Sequence, residues 1–349
     1  MTIFSHPDFD AHEGVHVLSD ASAGLQAIVA VHSTVRGPGA GGTRFWTYAQ
    51  DAEALTDALR LSKAMSYKNA MADLSFGGGK GVILKPKGDF DRTALFTAYG
   101  RLIDRLGGRY ITGEDVGVSP ADMDVVATQT SYVGGLSSGV AASGDPSPVT
   151  ADGVFRGLQV AWQHYAGTTD LSGVRVAVQG LGHVGYHLCR LLHEAGAKLW
   201  VTDIRQDVVK QAETELGANV VALEDIQAQD VDIFAPCALG GAINAQTIGD
   251  IKAKIVGGAA NNQLLTPDMG AALRERGILY CPDYVINAGG IINIAAELSG
   301  NYDAAWVDDK LEGLRATLTD VFRRADTDKL PTNIVADRMA QERIKFAQV

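Results

Sequence analysis

Long apolar runs are missing from this chain. Nowhere do about 18 apolar residues follow one another, so no segment reads as a membrane-spanning helix. Cysteine is scarce, and Cys189, Cys237 and Cys281 lie too far apart to suggest a disulfide framework or a metal pattern. Positive charge is outnumbered, with 30 Lys and Arg against 41 Asp and Glu. The resulting net charge of −11 argues against a nucleic-acid partner, because duplex binding is dominated by cationic contacts to phosphate. The opening MTIFSHPDFDAHEG has neither a basic n-region nor an apolar h-region, so no secretory signal is expected. These absences leave a reduced, cytoplasmic protein with no membrane contact. Its 349 residues, 46% hydrophobic and 20% charged, suit a globular chain of two domains.

Glycine, by contrast, is plentiful, and 77-GGGKG-81 concentrates it around one lysine. Glycine weakens any helix or strand that runs through it. One reading is a tight turn into Val82-Ile83-Leu84 with Lys80 in solvent. The other is a backbone that approaches a ligand, with Lys80 aimed at it. A phosphate-binding P-loop is excluded, because it would need Gly at Leu74 and Ser or Thr at Gly81.

Helices and strands alternate along the chain, the pattern of an α/β protein. Leu55, Ala58, Leu59, Ser62 and Met65 fall at helical spacing, as do Leu95, Phe96, Tyr99, Leu102, Ile103 and Leu106 before Gly107-Gly108. Tyr110-Ile111-Thr112 reads as a strand, and Ser119-Pro120 as a helix start with Ser at the N-cap and Pro at N1. Between them, 113-GEDVG-117 is a loop at a strand end, a usual place for chemistry. Gly134–Pro148, rich in Gly, Ser and Pro, reads as an interdomain hinge. A helix over about Ala151–Tyr165 follows, then strands at Val174–Gln179, Lys198–Thr202, Val231–Phe234, Ile255–Gly258 and Ile278–Cys281. Residues from Pro331 onward read as helical.

The motif 180-GLGHVG-185 stands between the first two of those strands. Its glycines would permit the tight turn (Gly180), close approach of a pyrophosphate (Gly182) and helix–strand packing (Gly185). Asp203, at the end of the next strand, is placed to bind a ribose 2′-hydroxyl and to repel a 2′-phosphate, which favours NAD over NADP. Arg205, two residues on, keeps NADP open. A decoy sits at 12-HEGVH-16, which matches the zinc-protease pattern H-E-x-x-H. Its flank alternates as a strand would and Gly14 interrupts it, so no metal is expected there.

Lys68, Lys80 and Asp115 gain meaning from their company. Loops of small residues, 258-GAANN-262 and 287-NAGG-290, offer amide groups, and two lysines with one carboxylate would make a site of tuned protonation. A lysine beside another cation, out of water, is pushed toward a working base.

Nine stretches in one order carry a resemblance: 37-GPGAGGTR-44, 66-SYKNA-70, 77-GGGKG-81, 111-ITGEDVG-117, 145-DPSPVT-150, 179-QGLGHVG-185, 235-APCALGG-241, 258-GAANNQL-264 and 283-DYVINAGG-290. Over essentially its whole length the chain resembles the glutamate/leucine/phenylalanine/valine dehydrogenase family of NAD(P)-dependent amino-acid dehydrogenases, its leucine and phenylalanine members most. The resemblance implies an α/β substrate and oligomerisation domain (1–135, with 331–349 packing back on it), a Rossmann-type doubly wound NAD domain (136–330), and a cleft between them. It implies reversible oxidative deamination of an apolar L-amino acid to the 2-oxo acid, ammonia and NADH. Lys68 matches the lysine that binds the substrate carboxylate, with backbone around Gly41-Gly42. Lys80 matches the general base that activates water, and Asp115 the aspartate that moves protons at the substrate nitrogen. Asn262 matches an asparagine at substrate and nicotinamide. Thr150 and Asn287 match groups that orient the carboxamide. His183, Val184, Ile204 and Ala238 join Gly180, Gly182, Gly185 and Asp203 at the cofactor.

Ala40, Met65, Gly113, Ile291 and Ile294 are the expected pocket wall. Glutamate-specific members carry a lysine where this chain has Ala40, so a buried γ-carboxylate would lack a partner. Ala40 and Gly113 enlarge one end of the pocket while Ile291 and Ile294 narrow another, and phenylalanine and leucine both stay open as substrates. A branched-chain-only enzyme and a catalytically silent NAD-binding sensor are the alternatives. The resemblance also implies a homo-oligomer, and the alternating Ala27–His32 stretch is a candidate for strand pairing between subunits.

Overall fold

The computed structural model describes residues 3–137, 144–300 and 302–347. The chain divides into two compact units. Unit 1 comprises Met1–Gly144, Ile294–Ala304 and Ala340–Val349, and unit 2 comprises Asp145–Asn293 and Ala305–Met339. The division differs from the expected 1–135 with 331–349, and 136–330: the boundary lies after Gly144, Ile294–Ala304 fall in unit 1, and 331–339 fall in unit 2, leaving only Ala340–Val349 of the C-terminal segment with unit 1.

Unit 1 runs β1 (Gly14–Asp20), β2 (Leu25–Ser33), β3 (Gly39–Ala40), β4 (Thr43–Trp46), α1 (Asp51–Met71), β5 (Gly77–Leu84), α2 (Arg92–Asp104), β6 (Tyr110–Ile111) and α3 (Pro120–Ala127). Its mixed sheet has the order β1-β2-β5-β3-β6, with β4 also paired to β5. Both faces are covered. On one, Leu25, Ala27, Val29, Val31 and Ile83 pack with Leu95, Phe96, Tyr99 and Ile103 of α2 and Met123 and Val126 of α3. On the other, Ile28, Ala30 and Val82 pack with Ala54, Ala58 and Leu59 of α1. Burial on both faces, rather than alternation, therefore shapes β2. It pairs with β1 on one side and β5 on the other, so Ala27–His32 is interior to the sheet and is not the intersubunit strand expected from sequence.

Two helix boundaries follow from local chemistry. Asp91 caps α2, accepting from the Ala94 amide at 2.9 Å. Ser119 and Asp122 form a reciprocal capping box at α3, with Pro120 at its first turn. HEGVH does not form a helix. Gly14–His16 belong to β1, and His12 is buried, its Nε2 3.0 Å from the Leu59 carbonyl and 3.1 Å from Ser62 Oγ.

Unit 2 opens with α4 (Ser147–Ala166). Ser147 and Pro148 already lie in this helix, which begins earlier than expected because Asp145 Oδ1 takes the Ser147 amide at 2.9 Å and proline suits a first turn. Of the expected hinge Gly134–Pro148, residues 138–143 lie outside the described residues. There follow β7 (Arg175–Gln179), α5 (His183–Glu194), β8 (Lys198–Thr202), α6 (Gln206–Leu216), β9 (Asn219–Val220), β10 (Ile233–Pro236), β11 (Ile255–Val256), α7 (Met269–Glu275), β12 (Leu279–Tyr280), α8 (Asp283–Ile286), α9 (Gly289–Leu298), α10 (Ala304–Asp328) and α11 (Thr332–Phe346). The six strands are parallel in the order β12-β11-β10-β7-β8-β9, the doubly wound dinucleotide-binding order, with its switch point between β7 and β10. The unit 1 part of α11 docks on α1: Arg343 Nη1 donates to the Ala70 and Met71 carbonyls at 3.2 and 2.8 Å, satisfying the helix end. No helix among the described residues is long and apolar enough to cross a membrane.

Candidate active site

Lys80 lies inside β5, not after a turn. The glycines around it, none with a positive φ, are there because neighbours crowd the strand. A Cβ on Gly78 would stand 2.2 Å from the Ser66 amide nitrogen of α1, and one on Gly79 2.5 Å from the Tyr110 ring. On Gly81 it would meet the Tyr99 hydroxyl at 2.2 Å. The strand is thus threaded between α1 and the aromatic face, and Lys80 alone carries a long side chain within the motif. It is 5% exposed.

Its Nζ lies 2.9 Å from Asp115 Oδ2. The Asp115 loop is held beside β4 by Thr43 N donating to the Gly113 carbonyl (2.8 Å) and Phe45 N to the Val116 carbonyl (2.9 Å). Gly117 leaves the loop at φ 81°, where a Cβ would meet the Phe45 carbonyl at 2.1 Å. Gly42 lets the two segments touch, since a Cβ there would lie 2.2 Å from the Glu114 carbonyl and 3.0 Å from Asp115 Cβ. Gly41 is pressed against the Gly79 carbonyl and Met65 in the same way. Lys68, half-buried on α1, shares the helix face of Met65 at i+3. Ala40 is buried between Gly78 and Ile111. A Cβ at Gly113 would have only the Gly134 carbonyl nearby, at 3.5 Å, and Ile294 packs against Gly134.

Burial alone would raise the Asp115 carboxyl, but the Lys80 and Arg44 charges outweigh it and hold it down at about 2. Burial draws Lys80 below the usual lysine range against the opposing pull of Asp115. At neutral pH the pair is a half-buried carboxylate facing a buried lysine whose proton is loosened.

Sequence reasoning passed over Arg44, Asp57 and Tyr48. Arg44 Nε donates to Asp115 Oδ2 at 3.0 Å and its Nη1 to Asp57 Oδ2 at 2.9 Å, where the Tyr48 hydroxyl also donates at 2.7 Å. Arg44 closes 37-GPGAGGTR-44, so the signal was present. Asp57 sits among the surface-like residues of α1 and gave none. Asn69, within 66-SYKNA-70, was passed over as well: its Nδ2 donates to the Gly77 carbonyl at 2.6 Å and ties α1 to β5.

Unit 2 carries the nucleotide-type features at the carboxyl ends of β7, β8 and β10. Gly180 turns at φ 100° beside Ala238, and Gly185 approaches so closely that a Cβ would lie 2.0 Å from the Gly180 carbonyl. At Gly182 a Cβ would meet nothing within 4 Å. Gly182 is the N-cap of α5 with no side chain capping that end, which leaves helix amides for an anion. Asp203 accepts from the Leu181 amide (2.6 Å) and the Arg205 amide (2.9 Å). Burial would raise its carboxyl, yet these amides and Arg205 keep it below the usual range. The Arg205 guanidinium turns back to the Leu181 carbonyl at 2.9 Å. His183 is 81% exposed, 3.5 Å from Asp145, and Ile204 is 80% exposed. Ala238 is exposed and Val184 half-buried.

Thr150, in the first turn of α4, meets 287-NAGG-290: a Cβ on Gly290 would lie 2.9 Å from Thr150 Oγ1. Asn287 Nδ2 donates to the Ala259 carbonyl (3.1 Å) and Asn261 Oδ1 (2.9 Å), while its buried Oδ1 has no protein donor. An orphaned buried acceptor fits a ligand carboxamide. Asn262 is exposed in a left-handed turn, φ 52°, its carbonyl taken by the Gly241 amide at 2.7 Å. Ile291 is buried at the start of α9. The open Gly182, the uncapped helix, Asp203 and the Asn287 oxygen together fit NAD. Among the described residues no cluster of His, Cys, Asp or Glu is placed to hold a metal.

The sequence and fold match known proteins. Residues 13–132 match the family model described as Glu/Leu/Phe/Val dehydrogenase, dimerisation domain, and residues 200–348 match Glutamate/Leucine/Phenylalanine/Valine dehydrogenase. Leucine dehydrogenase of Geobacillus stearothermophilus is 50% identical over 99% of this chain and 94% of its own length. Valine dehydrogenase of Streptomyces albus is 46% identical over 99% and 96%. The crystal structure of L-tryptophan dehydrogenase from Nostoc punctiforme superposes with a TM-score of 0.86 at 41% identity, covering 97% of each chain.

Proposed function

The chain belongs to the glutamate/leucine/phenylalanine/valine dehydrogenase family, and from that premise we propose that it is an NAD-dependent L-amino-acid dehydrogenase whose working base is Lys80. The reaction is the reversible oxidative deamination of an apolar L-amino acid to its 2-oxo acid and ammonia. The observation that carries the residue assignment is the Lys80–Asp115 contact of 2.9 Å at a buried lysine.

NAD, held by Gly180–Gly185, Asp203 and Asn287, would accept the hydride from the substrate Cα. The chain's own groups do the rest. Lys68 binds the substrate carboxylate, with Gly41-Gly42 backbone beside it. Lys80 takes a proton from the water that adds to the substrate iminium carbon. Asp115 exchanges protons with the nitrogen as it leaves, so carbinolamine collapses to ketone and ammonia. Asp203 would hold the ribose hydroxyls of the cofactor. Arg205 is engaged within the protein, its Nη2 on the Leu181 carbonyl at 2.9 Å and its Nε 3.5 Å from Asp203 Oδ1, and the Asp203 carboxylate supports NAD over NADP. Unit 1 is assigned the substrate and subunit assembly, unit 2 the cofactor. The matched dimerisation-domain model supports a homo-oligomer.

The relatives act on leucine, valine and tryptophan by name, which supports an apolar pocket that admits both branched and aromatic side chains. Ala40, in place of a cation, supports exclusion of glutamate. Steady-state kcat/KM for L-leucine, L-valine, L-phenylalanine, L-tryptophan and L-glutamate, with Lys80→Ala beside the wild type, tests this. The expected ranking places every apolar substrate above glutamate, and the lysine variant at least about 100-fold down in kcat. A Lys80→Ala enzyme of normal kcat would remove the base assignment.

A further inference from the structure

A buried lysine paired with one carboxylate stays charged, which is the wrong state for a base. Here Asp115 has a second cation. Lys80 Nζ and Arg44 Nε converge on the same oxygen, Oδ2, at 2.9 and 3.0 Å. Arg44 is itself held from the far side: Asp57 Oδ2 accepts from its Nη1 at 2.9 Å and from the Tyr48 hydroxyl at 2.7 Å. The chain thus runs Tyr48–Asp57–Arg44–Asp115–Lys80, drawn from β4, the segment after it, α1, the loop after β6, and β5. An arginine suits the middle of such a chain. Its planar fork reaches two carboxylates at once and it does not lose its proton.

We propose that Arg44, clamped by Asp57 and Tyr48, is a positioning residue that serves as the permanent counter-charge of Asp115, so that Lys80 is the exchangeable one. The inference rests on Lys80 being the base. Among the charged groups acting on Lys80 are Asp115, Arg44 and Asp57. Burial and Arg44 loosen the lysine proton, while Asp115 and Asp57 hold it. Arg44 stays charged because Asp115 and Asp57 overcome its burial. Removing the Arg44 charge therefore dedicates Asp115 to Lys80.

The test is the pH profile of kcat/KM for Arg44→Met, Arg44→Gln and Arg44→Lys, with the NAD dissociation constant as a control. In the neutral variants the acid limb moves to higher pH by one unit or more, activity recovers toward alkaline pH, and NAD affinity is unchanged. Arg44→Lys, which keeps the charge, restores the limb at least halfway. Should Arg44→Met not fold, Arg44→Gln, which keeps donors for both carboxylates, reads the same shift. A lowered kcat with the limb in its wild-type place, or Arg44→Lys displaced as far as the neutral variants, overturns the proposal. Lys80→Ala separates the two layers: normal turnover there defeats the base assignment, whereas a silent Lys80→Ala with unshifted Arg44 variants defeats only the role of Arg44.

Discussion

The glycines of 77-GGGKG-81 and those of 180-GLGHVG-185 answer different demands. In the first stretch Gly78, Gly79 and Gly81 are enclosed by protein, with α1 on one side and the Tyr99, Tyr110 and Thr43 side chains on the other. Each is small because another part of unit 1 occupies the space. In the second the three positions divide the work. Gly180 makes a left-handed turn, Gly185 packs on the strand, and Gly182 alone faces open space. Glycine density therefore does not mark a ligand. An unobstructed glycine at an uncapped helix end does, and a crowded glycine strand marks a side chain that must be placed to a fraction of an ångström. Lys80 is that side chain.

Alanine substitutions break this contrast or sharpen it. Gly78→Ala has the largest expected effect, because its Cβ would collide with backbone atoms (Ser66 N at 2.2 Å, Ser62 O at 2.3 Å) that no rotamer change can move. We expect a loss of about 3 kcal/mol or more, seen as little soluble protein or a sharply lowered melting temperature. Gly185→Ala follows, with a carbonyl at 2.0 Å, and should destabilise unit 2 by roughly 2–3 kcal/mol in denaturant titration. Gly81→Ala meets side-chain hydroxyls, so its cost is partly relievable. A double-mutant cycle with Tyr99→Phe should recover about 1 kcal/mol, since the deleted hydroxyl is the nearest obstacle. Gly182→Ala is the counter-case: the melting temperature of the free protein holds, while NAD binds roughly tenfold or more weakly by fluorescence titration, about 1.4 kcal/mol. An unstable Gly182→Ala protein, or one with unaltered NAD affinity, would contradict the reading of that position as open to the cofactor.

Much of the architecture was legible in the sequence. The strand Lys198–Thr202, the capping residues Ser119 and Pro120, and the GLGHVG turn are all local, set by periodicity, cap chemistry and backbone freedom over a few residues. The errors arose where distant segments decide. One of the two readings of the glycines at 77–81 was a turn, yet the pairing of β5 with β2, β3 and β4 makes it the centre of a sheet. Alternation in Ala27–His32 suggested an intersubunit strand, yet helices on both faces and strands on both edges leave it interior.

The site divides in the same way. Lys80 and Asp115 stood out by motif and loop position, and residue type alone dictated that one could lose a proton and the other bear negative charge. That Arg44 shares the Asp115 oxygen with Lys80, and that Asp57 and Tyr48 hold Arg44, no spacing predicts. These contacts join residues from separate strands, a helix and loops, and a side chain's charge state depends on what burial and its neighbours do to it. Sequence determined the chemical groups and the local elements that carry them. The tertiary structure decided which groups meet, because only packing brings remote residues within hydrogen-bonding distance and excludes the water that would otherwise screen them.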